Sequence, residues 1–520
     1  MPFPRRMSRR QFLGASAAGA AVAGAGAFFG VGGYDKVRSL HAAPKSNYAK
    51  LATASAAPTA TATPVPQIYN ALHSRPDLNS APTLKILERK GTPAPEYIFL
   101  TPSAPSPQGC AIFDNAGHLI WYRPGTQAHT LNLGVHQYLG NDVLAWYEGD
   151  VDDAGTGRGA YQLFDQSYEP LKRIVAGGGS PLDLHEFQVT DRGSILIDYY
   201  EPVKMDLTSD HGLPNTTVLN CVVQELDIAS GNVLFEWRAL DHVQPAESSL
   251  HAPSDAKQSF DYLHVNSIAV DTDDNLVISA RNTSALYKLD RKTGDIIWRL
   301  PGGDYPDLPG RRLSLLPAGE TFWFQHDARP QPDGTLTIFD DGGGPYHHNG
   351  RGAILRIDET ANTATVLKEY GSDLGMHVTY QGSFRELANG NTFVGWGDIG
   401  RVTEFDSNGS VCLDATFSGN SYRALRANWK GTPKEPPALA VASATAGAQL
   451  WASWNGSTEV RQWRVLGGED EASLQMIGVE PWQDFETAIT AQQRHATYAV
   501  EALDADGKSL ARSQSVPLNS

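Results

Sequence analysis

Cysteine, basic charge and long apolar runs are all scarce in this chain of 520 residues. Its three cysteines, Cys110, Cys221 and Cys412, allow at most one intramolecular disulfide, which excludes a disulfide scaffold. They form no CxxC pair and no Cys/His spacing of a structural zinc site. Lys and Arg number 42 against 58 Asp and Glu, a formal charge of −16. That balance argues against nucleic acid as a partner, because phosphate backbones require a basic face. Beyond the N-terminus no second apolar run is long enough to span a membrane.

The N-terminus reads as an export signal. SRRQFLG, from Ser8 to Gly14, is a twin-arginine motif, followed by a weakly apolar Ala/Gly run that ends near Gly33. It predicts passage through the twin-arginine export machinery and an extracytoplasmic protein, either secreted or tethered to the membrane by this segment. Residues around Leu40 to Ala43 fit the small-x-small cleavage rule poorly, which leaves a membrane tether open. LATASAAPTATATPVPQ, 51–67, is too poor in large apolar residues to bury a core and reads as a linker. The expected organisation is a signal or anchor over 1–45, a linker over 46–73, a large β domain over 74–432 and a small β-sandwich-like accessory module over 433–520.

What the chain does have is a repeat. An apolar-x-Asp turn leading into a second strand recurs as AIFDNAGHLIWY, QLFDQSYEPLKRI, VQELDIASGNVLFEW, LYKLDRKTGDIIW, ILRIDETANTATVL and VTEFDSNGSVCLDATF. The reference residues are Asp114, Asp165, Asp227, Asp290, Asp358 and Asp406, spaced by roughly 50 to 70 residues, the order expected of four short strands with their loops. The stretch Asp261 to Leu300 displays one whole unit, with short β-branched or aromatic runs bounded by Asp, Asn or Gly. The expectation is an all-β chain, a six-bladed β-propeller followed by the accessory module. Trp146, Trp237, Trp298 and Trp396 are read as blade core.

A second signal lies between these hairpins: a polar residue leads into a strand, a tight turn and another strand. It begins at His136, His185, His264, His326 and, in the last unit, Gly382. In a propeller the innermost strands line the central channel, so residues at their entrances converge. His185, His264 and His326 are the candidate site, with Arg281 returned to the same mouth by the hairpin after His264. Imidazole is both a nucleophile and a proton carrier near neutral pH, and guanidinium is a planar donor fork for a tetrahedral anion. Asn266 and Gln325 flank the histidines and are candidates to contact an anion or orient a ring. His347, with His348 in GGGPYHHNGRG, is a weaker candidate for substrate contact. Asp327 falls on the opposite strand face from His326. Taken singly, each histidine is more often a structural hydrogen-bonding group and Arg281 more often an ion-pair partner. A requirement of the blade itself would recur in every unit, however, whereas the sixth carries Gly382. Two other readings stay open on the residues alone: a metal-dependent propeller lyase or oxygenase using the three imidazoles, and a non-enzymatic cell-surface binding propeller.

DLHEF around His185, DYLHVNSI around His264, SARNTSALYKLDR from Ser279 and FQHDA around His326 resemble, in order, four signature segments of the arylsulfotransferases. SRPDL at Ser74, YIFL at Tyr97 and LIWY at Leu119 resemble the actinobacterial and fungal branch of that family, and the resemblance runs from Ser74 to Phe417. It implies a six-bladed propeller that moves a sulfuryl group from an aryl sulfate donor to a phenolic acceptor by a ping-pong route, with no nucleotide or metal cofactor. His326 would be the nucleophile that becomes a transient sulfohistidine, and His185, His264 and Arg281 would hold the sulfate oxygens. Enterobacterial members resemble this chain only in the propeller; their N-terminal sandwich domain has little room here, and this chain ends instead in an added β module.

Overall fold

The computed structural model describes residues 68–518, apart from 70, 104–107, 127–128, 304–308 and 344–347. The twin-arginine segment and His347 therefore lie outside the described residues. Among the described residues there is no α-helix, only short 3-10 turns between strands, and no helix is long and apolar enough to cross a membrane.

The chain is all-β. From Tyr97 to Ala427 it forms a succession of sheets, of which II to VI each contain an antiparallel meander of four consecutive strands. Sheet II has strands His129–Tyr138, Asn141–Val151, Gly157–Phe164 and Pro170–Ile174. Sheet III has Phe187–Val189, Ser194–Met205, Thr216–Asp227 and Val233–Arg238, and sheet IV has Val265–Val270, Leu276–Ala280, Ala285–Leu289 and Ile296–Pro301. Sheet V has His326–Pro330, Thr335–Asp340, Arg351–Asp358 and Thr363–Tyr370, and sheet VI has Ser383–Glu386, Thr392–Gly395, Arg401–Phe405 and Val411–Thr416. Sheet I is composite. Its strands Tyr97–Leu100, Gly109–Phe113 and Leu119–Pro124 come from the start of the region, but its first strand, Leu425–Ala427, comes from the end. A second latch adds Lys85–Arg89 to the outer edge of sheet VI.

The six reference aspartates all sit at the turn between third and fourth strands, and the reason is local. Each carboxylate accepts main-chain N–H groups two to four residues ahead: Asp114 from Ala116 and His118, Asp165 from Ser167 and Glu169, Asp227 from Ser230, Asp290 from Lys292 and Thr293, Asp358 from Thr360 and Ala361, and Asp406 from Asn408 and Ser410. An Asx turn of this kind ends one strand and reverses the chain into the next.

Apolar cores lie between consecutive sheets. Phe99 and Ile112 of sheet I pack with Leu144 and Trp146 of sheet II; Ile195 and Val222 of sheet III with Ala145 and Tyr161 of sheet II; Val218 of sheet III with Ile268 of sheet IV. Leu286 of sheet IV packs with Ile338 of sheet V, Phe339 of sheet V with Val394 of sheet VI, and Phe393 of sheet VI with Ile98 of sheet I. Each sheet thus buries both faces, one against its predecessor and one against its successor. Trp146, Trp237, Trp298 and Trp396 are all fully buried.

After Trp429 two further sheets face each other around Leu450, Trp463, Ile489, Tyr498 and Val500. They are fastened to sheets I and II by reciprocal hydrogen bonds of Asn455 with the Tyr122 main chain, both 2.9 Å, and by Tyr168 Oη donating to Gly456 O at 2.8 Å. The three cysteines are free and buried.

Candidate active site

The three histidines meet because of strand register. His185 and His264 immediately precede or lie just before the first strands of sheets III and IV, and His326 opens that of sheet V. The first strands of neighbouring sheets lie side by side, so their starting ends share one space. The rings of His185 and His264 are 4.5 Å apart, centroid to centroid, in an edge-to-face arrangement. The ring of Tyr422 is 5.2 Å from that of His185 and 6.5 Å from that of His326. His136 differs: it lies near the far end of the first strand of sheet II, so only its place in the sequence is equivalent.

Each imidazole is held through Nδ1 by an aspartate, although burial pushes the Asp341 carboxyl well above the ordinary carboxylate range. Asp183 holds His185 and Asp261 holds His264, and each of these aspartates also accepts the backbone N–H of the histidine it holds, at 3.1 and 3.0 Å. Asp341 Oδ1, at 3.1 Å, holds His326. A ring that donates from Nδ1 keeps its Nε2 lone pair free. Burial, reinforced by the charges of Arg281, His264, His185 and Arg423, pushes His326 well below the ordinary imidazole range, so it stays neutral. Burial likewise lowers His185, against the pull of Asp183.

Arg281 follows the second strand of sheet IV in the turn Arg281–Thr283, and its N–H bonds His264 O at 2.9 Å. Its guanidinium stacks on Phe324, 4.5 Å from the ring centroid, and donates to Asn282 Oδ1 at 2.9 Å and Thr379 O at 3.1 Å. The structure thus brings His185, His264, His326 and Arg281 together. Asn266 and Gln325 are close by but already engaged: Asn266 Nδ2 donates to Gln325 O at 2.7 Å, and Gln325 Nε2 donates to the Ser279 hydroxyl and to Ala280 O and Ala285 O at 3.0 to 3.1 Å. Their N–H groups brace the seam between sheets IV and V. His348, next to the undescribed His347, contacts Asn349 O at 2.9 Å and lies 3.5 Å from Asp340.

Sequence reasoning passed over the groups that hold these rings. Asp183 and Asp261 stand two and three residues before their histidines within the quoted segments, so their signal was present. Asp341 is fifteen residues from His326 and Tyr422 far more distant, with no local cue. Also unread was a buried charge cluster next to the histidines. Glu186 pairs with Arg329 at 2.6 Å and Arg423 at 3.2 Å, and Asp327 with Arg385 at 2.6 Å, Arg329 at 3.0 Å and Arg423 at 3.3 Å. Asp327 does turn away from His326, into this cluster. Although burial pushes Glu186 up, Arg329 and Arg423 outweigh it and hold the carboxyl at about 2.

The donor sets do not fit a three-histidine metal centre. Among the described residues the three imidazoles do not bring one nitrogen each within 4.8 Å of one another. Asp183, His185 and Asp198 do approach, but His185 offers Asp183 a proton through Nδ1 there. The other close carboxylates, Asp271, Asp273 and Glu359, already surround the Lys288 ammonium at 2.8, 2.8 and 2.6 Å.

Residues 135–418 match the family model described as arylsulfotransferase (ASST), a stretch containing all four converging side chains. The chain belongs to the arylsulfotransferase family. Among curated relatives, the arylsulfate sulfotransferase AssT of Escherichia coli O6:H1 (strain CFT073) is 25% identical over 283 residues, covering 42% of this chain and 46% of that protein. The chain thus spans less than half the length of that relative. Solved structures that it resembles include a Bacteroides caccae protein of unknown function (TM-score 0.40, 12% identity, 64% of this chain and 99% of that one) and a virginiamycin B lyase from Staphylococcus aureus (TM-score 0.32, 10% identity, 72% and 97%).

Proposed function

We propose that this member of the arylsulfotransferase family is an exported aryl sulfate sulfotransferase that works by a ping-pong route through a sulfohistidine at His326, with neither nucleotide nor metal. The six meander sheets are read as six blades of a propeller over 74–432, with 433–520 as an accessory module. Export by the twin-arginine machinery, with release or retention of a membrane tether, rests on the sequence of residues 1–45. The observation that carries the chemistry is a neutral, carboxylate-oriented His326 buried beside two further carboxylate-held imidazoles and Arg281.

In this reading the Nε2 lone pair of His326 attacks the sulfur of the aryl sulfate. The S–O ester bond breaks, its electron pair leaves with the phenolate oxygen, and the Nδ1 proton stays on the ring, hydrogen-bonded to Asp341. Arg281 supplies a fixed positive charge for the sulfate oxygens. His185 and His264, held in place by Asp183 and Asp261, line the place that the sulfate group takes. A phenolic oxygen then attacks the sulfur, the S–N bond breaks and its pair returns to Nε2. Asn266 and Gln325 act as positioning residues through the seam that they brace. Burial of the site among Tyr422, Phe324 and the imidazoles favours the phenol over water.

Replacing Asp341 by Asn offers Nδ1 a donor in place of an acceptor and moves the ring proton to Nε2, where it blocks attack. Release of nitrophenolate from 4-nitrophenyl sulfate is expected to slow on the order of 10³- to 10⁴-fold, measured by single-turnover absorbance. The direct test is mass spectrometry of the protein after 4-nitrophenyl sulfate is supplied without acceptor. One added SO3 on His326, removed by phenol, is the expected result. Phenol-dependent release with no adduct at any time would replace the two-step route by direct transfer.

A further inference from the structure

The ping-pong reading leaves one proton without a carrier. When a phenol attacks the sulfohistidine its hydroxyl proton must leave, yet Nε2 of His326 then carries the sulfuryl group and Arg281 has no free base. His185 and His264 are committed to the sulfuryl oxygens beside them. A separate base is required at the same mouth, and strand register indicates where it lies.

In sheet IV, Val265 pairs with Ala280, which brings Arg281 beside His264. In sheet V, His326 pairs with Phe339, which brings Asp340 and Asp341 beside His326. In sheet VI, Ser383 pairs with Gly395, so the turn Gly397–Ile399 stands beside Gly382 in the equivalent position. That sheet has no histidine at its entrance, but its turn carries Asp398. We infer that Asp398 is the general base that takes the phenolic proton of the acceptor, an assignment that rests on the sulfuryl-transfer reading.

The surroundings suit the task. Asp398 Oδ1 and Oδ2 both accept from Thr379 N at 3.3 Å, and Thr379 O accepts from Arg281 at 3.1 Å, so a single residue links this carboxylate to the guanidinium. Unlike Asp341, which is completely buried, Asp398 is half-buried and can meet an entering acceptor. The charged groups that face it are Arg281 from sheet IV and Asp341 from sheet V. Burial raises its carboxyl to about 6, with the Thr379 N–H and Arg281 opposing. It is therefore ionised at neutral pH and more basic than an ordinary carboxylate, as a general base near its working pH should be. The proton balance closes: the O–H bond breaks toward Asp398, the new S–O bond forms as the S–N bond breaks, and Asp398 returns its proton to water or to the phenolate leaving in the next cycle.

The test is acceptor kcat/KM for a series of phenols of graded acidity, with 4-nitrophenyl sulfate as donor, in wild type, Asp398→Asn and Asp398→Glu. With phenol itself the Asn variant is expected to lose on the order of 100-fold or more. With a nitro-substituted acceptor already ionised at the assay pH the loss should fall below about tenfold, because no base is needed. The wild-type acceptor rate should fall as pH drops below about 6, where Asp398 protonates, and the Asn variant should lack that limb. Asp398→Glu keeps a base and should recover part of the phenol rate. An equal loss for every acceptor, or a limb unchanged in the Asn variant, overturns the assignment and leaves sulfuryl transfer standing. A wild type that forms no adduct with the donor removes both.

Discussion

His326→Ala is expected to lose at least on the order of 10⁴-fold in phenol-dependent nitrophenolate release and to form no sulfuryl adduct. The size follows from the role. Removing a group that stabilises charge leaves the bond-making partner in place, whereas removing the nucleophile deletes the intermediate and with it both half-reactions. The structure also predicts how the loss responds to pH. His326 is held neutral far below the ordinary imidazole range by burial and by Arg281, so acidifying the wild type from pH 7 toward 6 does not protonate the nucleophile. The variant should therefore be inactive at every pH rather than merely shifted. His185→Ala and His264→Ala provide the contrast: each leaves the nucleophile and Arg281 in place, so each should retain measurable adduct. Intact-protein mass and stopped-flow absorbance of the three variants distinguish a nucleophile from its clamps. Equal adduct formation by His326→Ala would move the covalent step to another ring.

Much of the architecture was legible because its determinants are local. An aspartate whose carboxylate caps its own turn is visible within five residues, and six such turns mark the strand reversals wherever they occur. His185, His264 and His326 follow a related local pattern, since each stands where a turn feeds the first strand of its sheet. The same rule misled at His136, because the first strand of sheet II begins at His129, earlier than the sequence cue, and carries His136 to its far end. Asn266 and Gln325 were read as candidates to contact an anion or orient a ring, but side-chain direction is decided by the adjacent sheet, which takes up their N–H groups. Groups delivered by long-range pairing left no trace. Asp341 reaches His326 across a strand pair, Asp398 depends on the register of sheet VI, and Tyr422 and Arg423 arrive on the segment that returns to close sheet I. Composition cannot show that a chain with an excess of acid packs three guanidinium groups against Glu186 and Asp327.

Those groups set the second large effect, on stability. Glu186 is 2% exposed and binds Arg329 Nη2 at 2.6 Å and Arg423 through both Nη atoms at 3.2 and 3.3 Å, while accepting from the main chain of Phe187 and Ile268 at 3.0 and 3.1 Å. Glu186→Gln leaves Arg329, Arg385 and Arg423 facing Asp327 alone, and an uncompensated buried charge costs about 3–5 kcal/mol. Proton linkage gives an independent figure. A carboxyl held at about 2 in the fold against an ordinary value of 4.5 stabilises the folded state fully above pH 4.5 and loses that contribution as pH falls toward 2. The shift corresponds to about 3 kcal/mol. Urea titrations should therefore show a gap between wild type and Glu186→Gln that is constant above pH 5 and shrinks on acidification. Adding Arg423→Met to Glu186→Gln leaves two guanidinium groups facing one carboxylate, and should recover part of the loss although it deletes a second buried group. If the two substitutions add, the penalty lies in lost packing. If the second offsets the first, excess positive charge is what Glu186 holds in check, and the ion-pair cluster acts as a counterweight beside the histidines rather than a simple filler of the core.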